Sequence, residues 1–172
     1  MNALHQYICS ANRLMDEMHD LTDAQLHFRP TANAWNLLQV LQHLQKVEEG
    51  VITQIFKHNL SDQKRYMRFK NHYRAHLLLL AMYTPRKYKV PVNEVMPDDI
   101  LSRTVIDEWE QQQKQWLGDS RLHPESRSQI VFKHPLAGGL NCRATFNFLR
   151  AHLNHHLIQV NSIKIHHHFP KI

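Results

Sequence analysis

The sequence predicts an all-α fold, a four-helix bundle with an additional helix in the middle of the chain and a long crossover beside it. Three observations carry this expectation. Apolar residues recur at spacings of three and four, and few segments alternate with period two. Only four glycines occur, three of them between 118 and 139. Prolines and polar clusters cut the periodic stretches into pieces of helix length. At 172 residues the chain fits a single domain over 1–172, able to bury a core without disulfides or a structural metal.

The first helix is expected over 2–18, with Leu4, Ile8, Ala11, Met15 and Met18 as its stripe. Residues 19–34 read as a connection punctuated by Pro30. A second helix starts near Trp35, where Asn36 suits an N-cap and Gln39 completes a capping box. Its stripe is Leu37, Val40, Leu44, Val47, Val51 and Ile55, and it ends near 58. A further helix is predicted over 64–83, with Tyr66, Phe69, Tyr73, Leu77 and Leu80 on one face and Pro85 closing it. The stretch 84–96, with Pro85 and Pro91, is the expected extended crossover.

The next helix should open at Pro97, Asp98 and Asp99, because proline and acids suit a first turn. It carries Leu101, Val105, Trp109 and Trp116 and ends near Gly118. Residues 119–140 form a long loop, of a length that tends to carry function. Asn141 is the expected N-cap of the last helix, which runs to about 165.

The formal net charge is +6 and the pI about 9.5. The basic residues are scattered, apart from a modest cluster at Lys64, Arg65, Arg68, Lys70 and Arg74. Scattered charge reads as a solvated face, so no specific nucleic-acid partner is expected. The longest aliphatic run, 77–82, is too short to span a bilayer. The N-terminus lacks the basic head, apolar run and cleavage site of a signal peptide. The expectation is a cytoplasmic protein without a membrane partner. Cys9 and Cys142 sit in no paired motif, which favours small buried thiols over a single disulfide.

Fifteen histidines are the outlying feature. The seam of the last helix reads Phe146, Leu149, Leu153, His156, Val160 and Ile163, spaced 3,4,3,4,3. His156 therefore takes a position that periodicity reserves for an apolar side chain. His152 lies one turn earlier on the same face, and two imidazoles at i and i+4 can share one metal ion. A third ligand is usually needed. His43 supplies it, between Val40 and Val47 at the border of the second helix's stripe. Three histidines would leave coordination positions open, as catalytic sites do. The competing reading is that HxxxH in a histidine-rich chain simply packs. His155, about 60° round the helix from His152, keeps the choice of ligand open.

Two stretches resemble the DinB-like family. TANAWNLLQVLQHLQKVEE is similar to its second-helix signature, through Trp35, Asn36, His43 and Leu44. HPLAGGLNCRATFNFLRAHLNHHLIQVNSI is similar to its other signature, through His134, Pro135, Gly138, His152, His156 and Gln159. KYKVPVNEVMPDD resembles the family's proline-bearing crossover. Asn36 stands where serine is more usual, and either residue caps a helix. The resemblance implies a metal triad of His43, His152 and His156. It also implies one divalent transition ion, zinc or nickel, and a small-molecule substrate. Family members include metal-dependent S-transferases that use a low-molecular-weight thiol, and others resemble hydrolases. A non-catalytic bundle that holds metal or ligand is the alternative, and a homodimer is compatible with either.

Other residues read more blandly. Glu48 is expected on a solvated face rather than as a base or a support for a ligand. Gln159 either hydrogen-bonds a ligand or merely neighbours it, and His134 is expected to anchor its loop. Trp35, Trp109 and Trp116 are expected in the core. The triplet His166, His167 and His168 could bind metal loosely.

Overall fold

The structure is a computed structural model that describes residues 3–59, 69–82, 95–117, 119, 122 and 129–171. Its elements are α1 (Ala3–His19), α2 (Asp23–Leu26), α3 (Leu37–Asn59), α4 (Phe69–Met82), α5 (Thr104–Leu117), β1 (Ile130–His134), β2 (Gly138–Asn141) and α6 (Cys142–Lys164). Helix dominates, as the spacing of apolar residues predicts.

Four of the helices close a ring: α1 packs on α6, α6 on α3, α3 on α5, and α5 on α1. Helices α1 and α6 run parallel, since Gln6 meets Arg150 and Glu17 meets Lys164. The stripes chosen by periodicity fill the centre. Leu4, Ile8, Ala11, Met15 and Met18 of α1 are buried, as are Val40, Leu44, Val51 and Ile55 of α3. The whole predicted seam of α6 is buried too. Each such aliphatic or aromatic side chain contributes roughly 1.5–3 kcal/mol by leaving water. Trp109 of α5 is among the largest fully buried side chains.

The helix starts follow local chemistry. Asn36 Oδ1 accepts from the Gln39 amide at 2.8 Å, and Gln39 Oε1 accepts from the Asn36 amide at 3.2 Å, the predicted capping box. Asn141 Oδ1 accepts from the Ala144 amide at 2.9 Å and starts α6. The expected connection 19–34 contains the short α2, which Thr22 and Gln25 cap reciprocally.

Several expectations need correction. Helix α5 begins at Thr104, not at Pro97. Asp98 is instead tied to α3: its carboxylate accepts from Gln42 at 2.7 Å and Lys46 at 3.0 Å, and its amide donates to Gln42. The second half of the expected loop 119–140 is an antiparallel hairpin, β1 on β2, packed on α3, α4 and α6. Gly138 has φ +77°, the left-handed conformation that glycine adopts without strain, where the hairpin turns into β2. Cys9 is exposed rather than buried, and both cysteines are free thiols. The predicted helix 64–83 is described from Phe69 onward, so Tyr66 and most of the crossover 84–96 lie outside the described residues. The apolar face of α4 turns outward, and its inner side rests on α6 and β2.

Candidate metal centre

Helices α3 and α6 bring His43, His152 and His156 together between them. All three are buried, and one ligand atom from each lies within 4.8 Å of the others. The imidazole centroids are 4.7–5.2 Å apart. His43 Nε2 is 3.3 Å from His152 Nε2. Two nitrogens sharing a tetrahedral zinc at about 2.0–2.1 Å would stand roughly 3.3 Å apart.

Neighbouring acceptors aim the lone pairs. The Val95 carbonyl can only accept, so His43 Nδ1 carries the proton and donates to it at 2.7 Å. The Nε2 lone pair of His43 then faces inward. His156 Nδ1 likewise donates to Gln159 Oε1 at 3.0 Å, leaving its Nε2 lone pair free. His152 Nδ1 is a buried nitrogen without a hydrogen-bond partner among the described residues. If His152 donates through Nε2 to His43, its own Nδ1 lone pair is stranded. If it holds the proton on Nδ1, two lone pairs confront each other at Nε2. A cation between the rings removes that confrontation, so this donor set fits a divalent ion better than it fits itself.

The electrostatics agree. Burial, and then the Val95 carbonyl acting the other way, leave His43 below the ordinary histidine value. Burial and the neighbouring imidazoles hold His152 well below it. Burial, with His43 beside it, takes His156 down to about 3. All three rings are therefore neutral at physiological pH, the form in which imidazole ligates.

Around the triad, Trp35 lies over two of the rings, 5.1 Å from His43 and 6.4 Å from His156 between centroids. It is partly buried against the core but also roofs the site, a position its place before the N-cap did not announce. His155 turns away: its Nδ1 bonds the Met82 carbonyl at 2.9 Å, tying α6 to α4. His134 anchors the hairpin turn as expected, its Nδ1 accepting from the Leu136 and Ala137 amides at 3.1 and 3.2 Å. Burial lowers His134 to about 4. The rings of the triplet His166, His167 and His168 pack on one another at tilted angles beyond the end of α6. His19, Asp107 and Glu110 form a second group with metal-ligating atoms, but it lies at the surface, half-buried to exposed, and Glu110 already pairs with Lys114 at 2.6 Å.

The solvated-face reading of Glu48 is overturned. Glu48 is 1% exposed. Trp109 Nε1 donates to its carboxyl, Gln113 Nε2 donates at 2.7 and 2.8 Å, and the Tyr7 hydroxyl also bonds it. Burial pushes this carboxyl up to about 8, against the pull of the three donors. Burial and the Glu48 charge push the Tyr7 hydroxyl upward as well. Glu48 is five residues after His43, about 140° round the helix, so it faces α1 and α5 rather than the triad.

Comparison with known proteins adds one match. A family model described as the DinB superfamily matches residues 7–160. No curated protein and no solved structure matches the chain.

Proposed function

The chain belongs to the DinB superfamily, and from that premise we propose that it is an enzyme holding one divalent transition ion, zinc or nickel, on His43, His152 and His156. The observation that carries this reading is three buried imidazoles meeting at one point, two of them with lone pairs aimed inward by Val95 and Gln159. A bound ion would supply Lewis acidity, lowering the pKa of a thiol or water beside it. The chain's own residues supply orientation and shelter. Val95 and Gln159 fix two tautomers, and Trp35 covers two rings against bulk water.

The surroundings of the triad support one reaction class over others. Three neutral imidazoles leave an ion its full charge, which favours forming a thiolate or hydroxide. Among the described residues no carboxylate belongs to the cluster, and Leu153 and Asn154 follow His152 where a peptidase HExxH motif has glutamate. Glu48, the nearest buried carboxyl on α3, is occupied by three donors on the other side of the helix. The reading favoured is therefore transfer to a small thiol, ahead of hydrolysis. A non-catalytic metal-braced bundle is the second reading, supported by the burial of all three rings.

Elemental analysis of untagged protein, washed to strip the terminal histidine triplet, should find one tightly held ion. Metal-loaded protein should then accelerate attack of a small thiol on an electrophile more than it hydrolyses peptides or phosphate esters. His43→Ala should abolish that acceleration. Rates indifferent to His43 in every substrate class would leave the non-catalytic reading in place.

A further inference from the structure

The outer face of α4 is the largest unexplained feature outside the site. Phe69 is 88% exposed, Tyr73 62%, Leu77 45% and Leu80 54%. At 100° per residue these four fall within about 80° of the helix surface, a continuous apolar stripe. The inner face, centred on the buried Ala75, holds α4 to α6 and β2. The His155 bond to the Met82 carbonyl pins its C-terminal end. The stripe is thus presented on a fixed helix, and among the described residues nothing covers it.

Charge indicates what does. Lys70 and Arg74, both exposed, border the stripe along one edge, and exposed His72 and His76 border the other. The helix carries no Asp or Glu at all. In sequence, Lys64, Arg65 and Arg68 stand immediately before it. A second copy laid face to face would offer Lys70 and Arg74 no acidic partner, since its α4 carries none, and the basic edge would stay uncompensated. An apolar stripe with aromatic residues, edged by long basic side chains, instead matches an anionic bilayer surface. Rings sit at headgroup depth, and Lys and Arg stems extend toward phosphates. No described helix is long and apolar enough to cross a membrane, a fact that concerns spanning and not surface adsorption.

We propose that the outer face of α4 docks flat on an anionic lipid surface. Docking buries Phe69, Tyr73, Leu77 and Leu80 at the boundary between headgroups and acyl chains, with Lys70 and Arg74 at the phosphates. The metal centre, on the other side of the His155 tether, stays outside the contact.

The test is cosedimentation of the full chain with phosphatidylcholine vesicles, with and without phosphatidylglycerol, at low and high salt. Binding is expected only with phosphatidylglycerol, and it should weaken as salt rises. Leu77→Glu should reduce it at least tenfold. Lys70→Gln and Arg74→Gln should each reduce it about fivefold, the increment expected per basic residue near such a surface. Ile100→Glu, at an exposed apolar residue outside α4, should leave it unchanged. Equal binding to both vesicles, or none to either, overturns the proposal. Self-association by sedimentation velocity that Leu77→Glu abolishes, without vesicle binding, assigns the face to a second copy instead.

Discussion

Among the described residues, two polar clusters inside this bundle are built on α3, and they are electrostatic opposites. Toward α6, His43, His152 and His156 bring acceptors together, while their remaining donors point outward at Val95 and Gln159. Toward α1 and α5, Glu48 is a single carboxyl met by donors from Tyr7, Trp109 and Gln113. The first cluster gathers imidazole nitrogens at its centre. The second already holds three N–H or O–H groups and, below about pH 8, a proton. Buried polar groups must be satisfied, since each unsatisfied one costs about 1–3 kcal/mol. The same requirement suits one cluster to the cation proposed for it and makes the other a closed cross-brace between helices.

The largest effect should come from breaking the acceptor cluster. His156→Ala leaves two imidazoles and should weaken metal binding on the order of a hundredfold or more, while His167→Ala in the exposed triplet should leave it intact. Elemental analysis after dialysis checks both. One tight ion retained by the His156 variant would transfer the site to His155 or the triplet, and the contrast between the clusters would fall.

Next comes the donor cluster. Glu48→Ala strands three donors and opens a cavity, which should cost roughly 3–5 kcal/mol in urea melts. The pH dependence has a definite sign. The folded carboxyl titrates near 8, against about 4.3 in an unfolded chain. The folded state therefore holds the extra proton between those values. Its contribution is whole below about pH 4.3 and lost as pH rises through about 8. Glu48→Gln cannot titrate, so its stability should stay level across that interval relative to the wild type, which should decline by a few kcal/mol. Parallel decline in both proteins would show that Glu48 does not hold the proton.

A smaller effect belongs to Gln159. Removing the acceptor for His156 Nδ1–H by Gln159→Ala should weaken metal binding about tenfold to a hundredfold without unfolding the bundle. A calorimetric titration unchanged by this variant would mean that the His156 ring is oriented by packing alone.

The smallest effect expected is at His134, where the acceptor Nδ1 is already satisfied by two amides. Its folded value of about 4 lies below the ordinary 6.5. Stability from this group is therefore full above pH 6.5 and lost as pH falls toward 4. His134→Asn, whose Oδ1 can accept the same amides, should recover on the order of 1–2 kcal/mol of that acid loss. Acid melts of the two proteins that superimpose would remove His134 from the account.

Periodicity read the buried stripes of α1 and α6 correctly, and that of α3 except at the half-buried Val47, because a helix repeats its faces every 3.6 residues whatever lies opposite. It also singled out His156 as a polar residue in an apolar seam. The same test could have found Glu48, which stands between Leu44 and Val51 at spacings of four and three, and Gln113, four beyond Trp109. Both were legible as seam positions. Only the assembled bundle, however, showed that Tyr7 and Trp109 arrive from other helices to meet that carboxyl. The capping boxes at Asn36 and Thr22 illustrate the local side, since every atom involved lies within three residues.

What the sequence by itself determined is which side chains share a face, where helices may start, and that His43, His152 and His156 lie on faces able to meet. What only the tertiary structure decided is what each face meets. It turned the apolar stripe of α4 outward and its Ala75 side inward, though the spacing alone fits either choice. It turned His155 toward the Met82 carbonyl and His156 into the cluster, though the two are adjacent in the chain. It placed a backbone oxygen, that of Val95, against His43, a partner that carries no side-chain signature. It also held Asp98 on α3 rather than in the first turn of α5. The reason is physical. Helix faces and caps arise from neighbours a few residues apart. Partners separated by 52 to 109 positions, as for His43 with Val95 and with His152, are chosen only when the whole chain closes on itself.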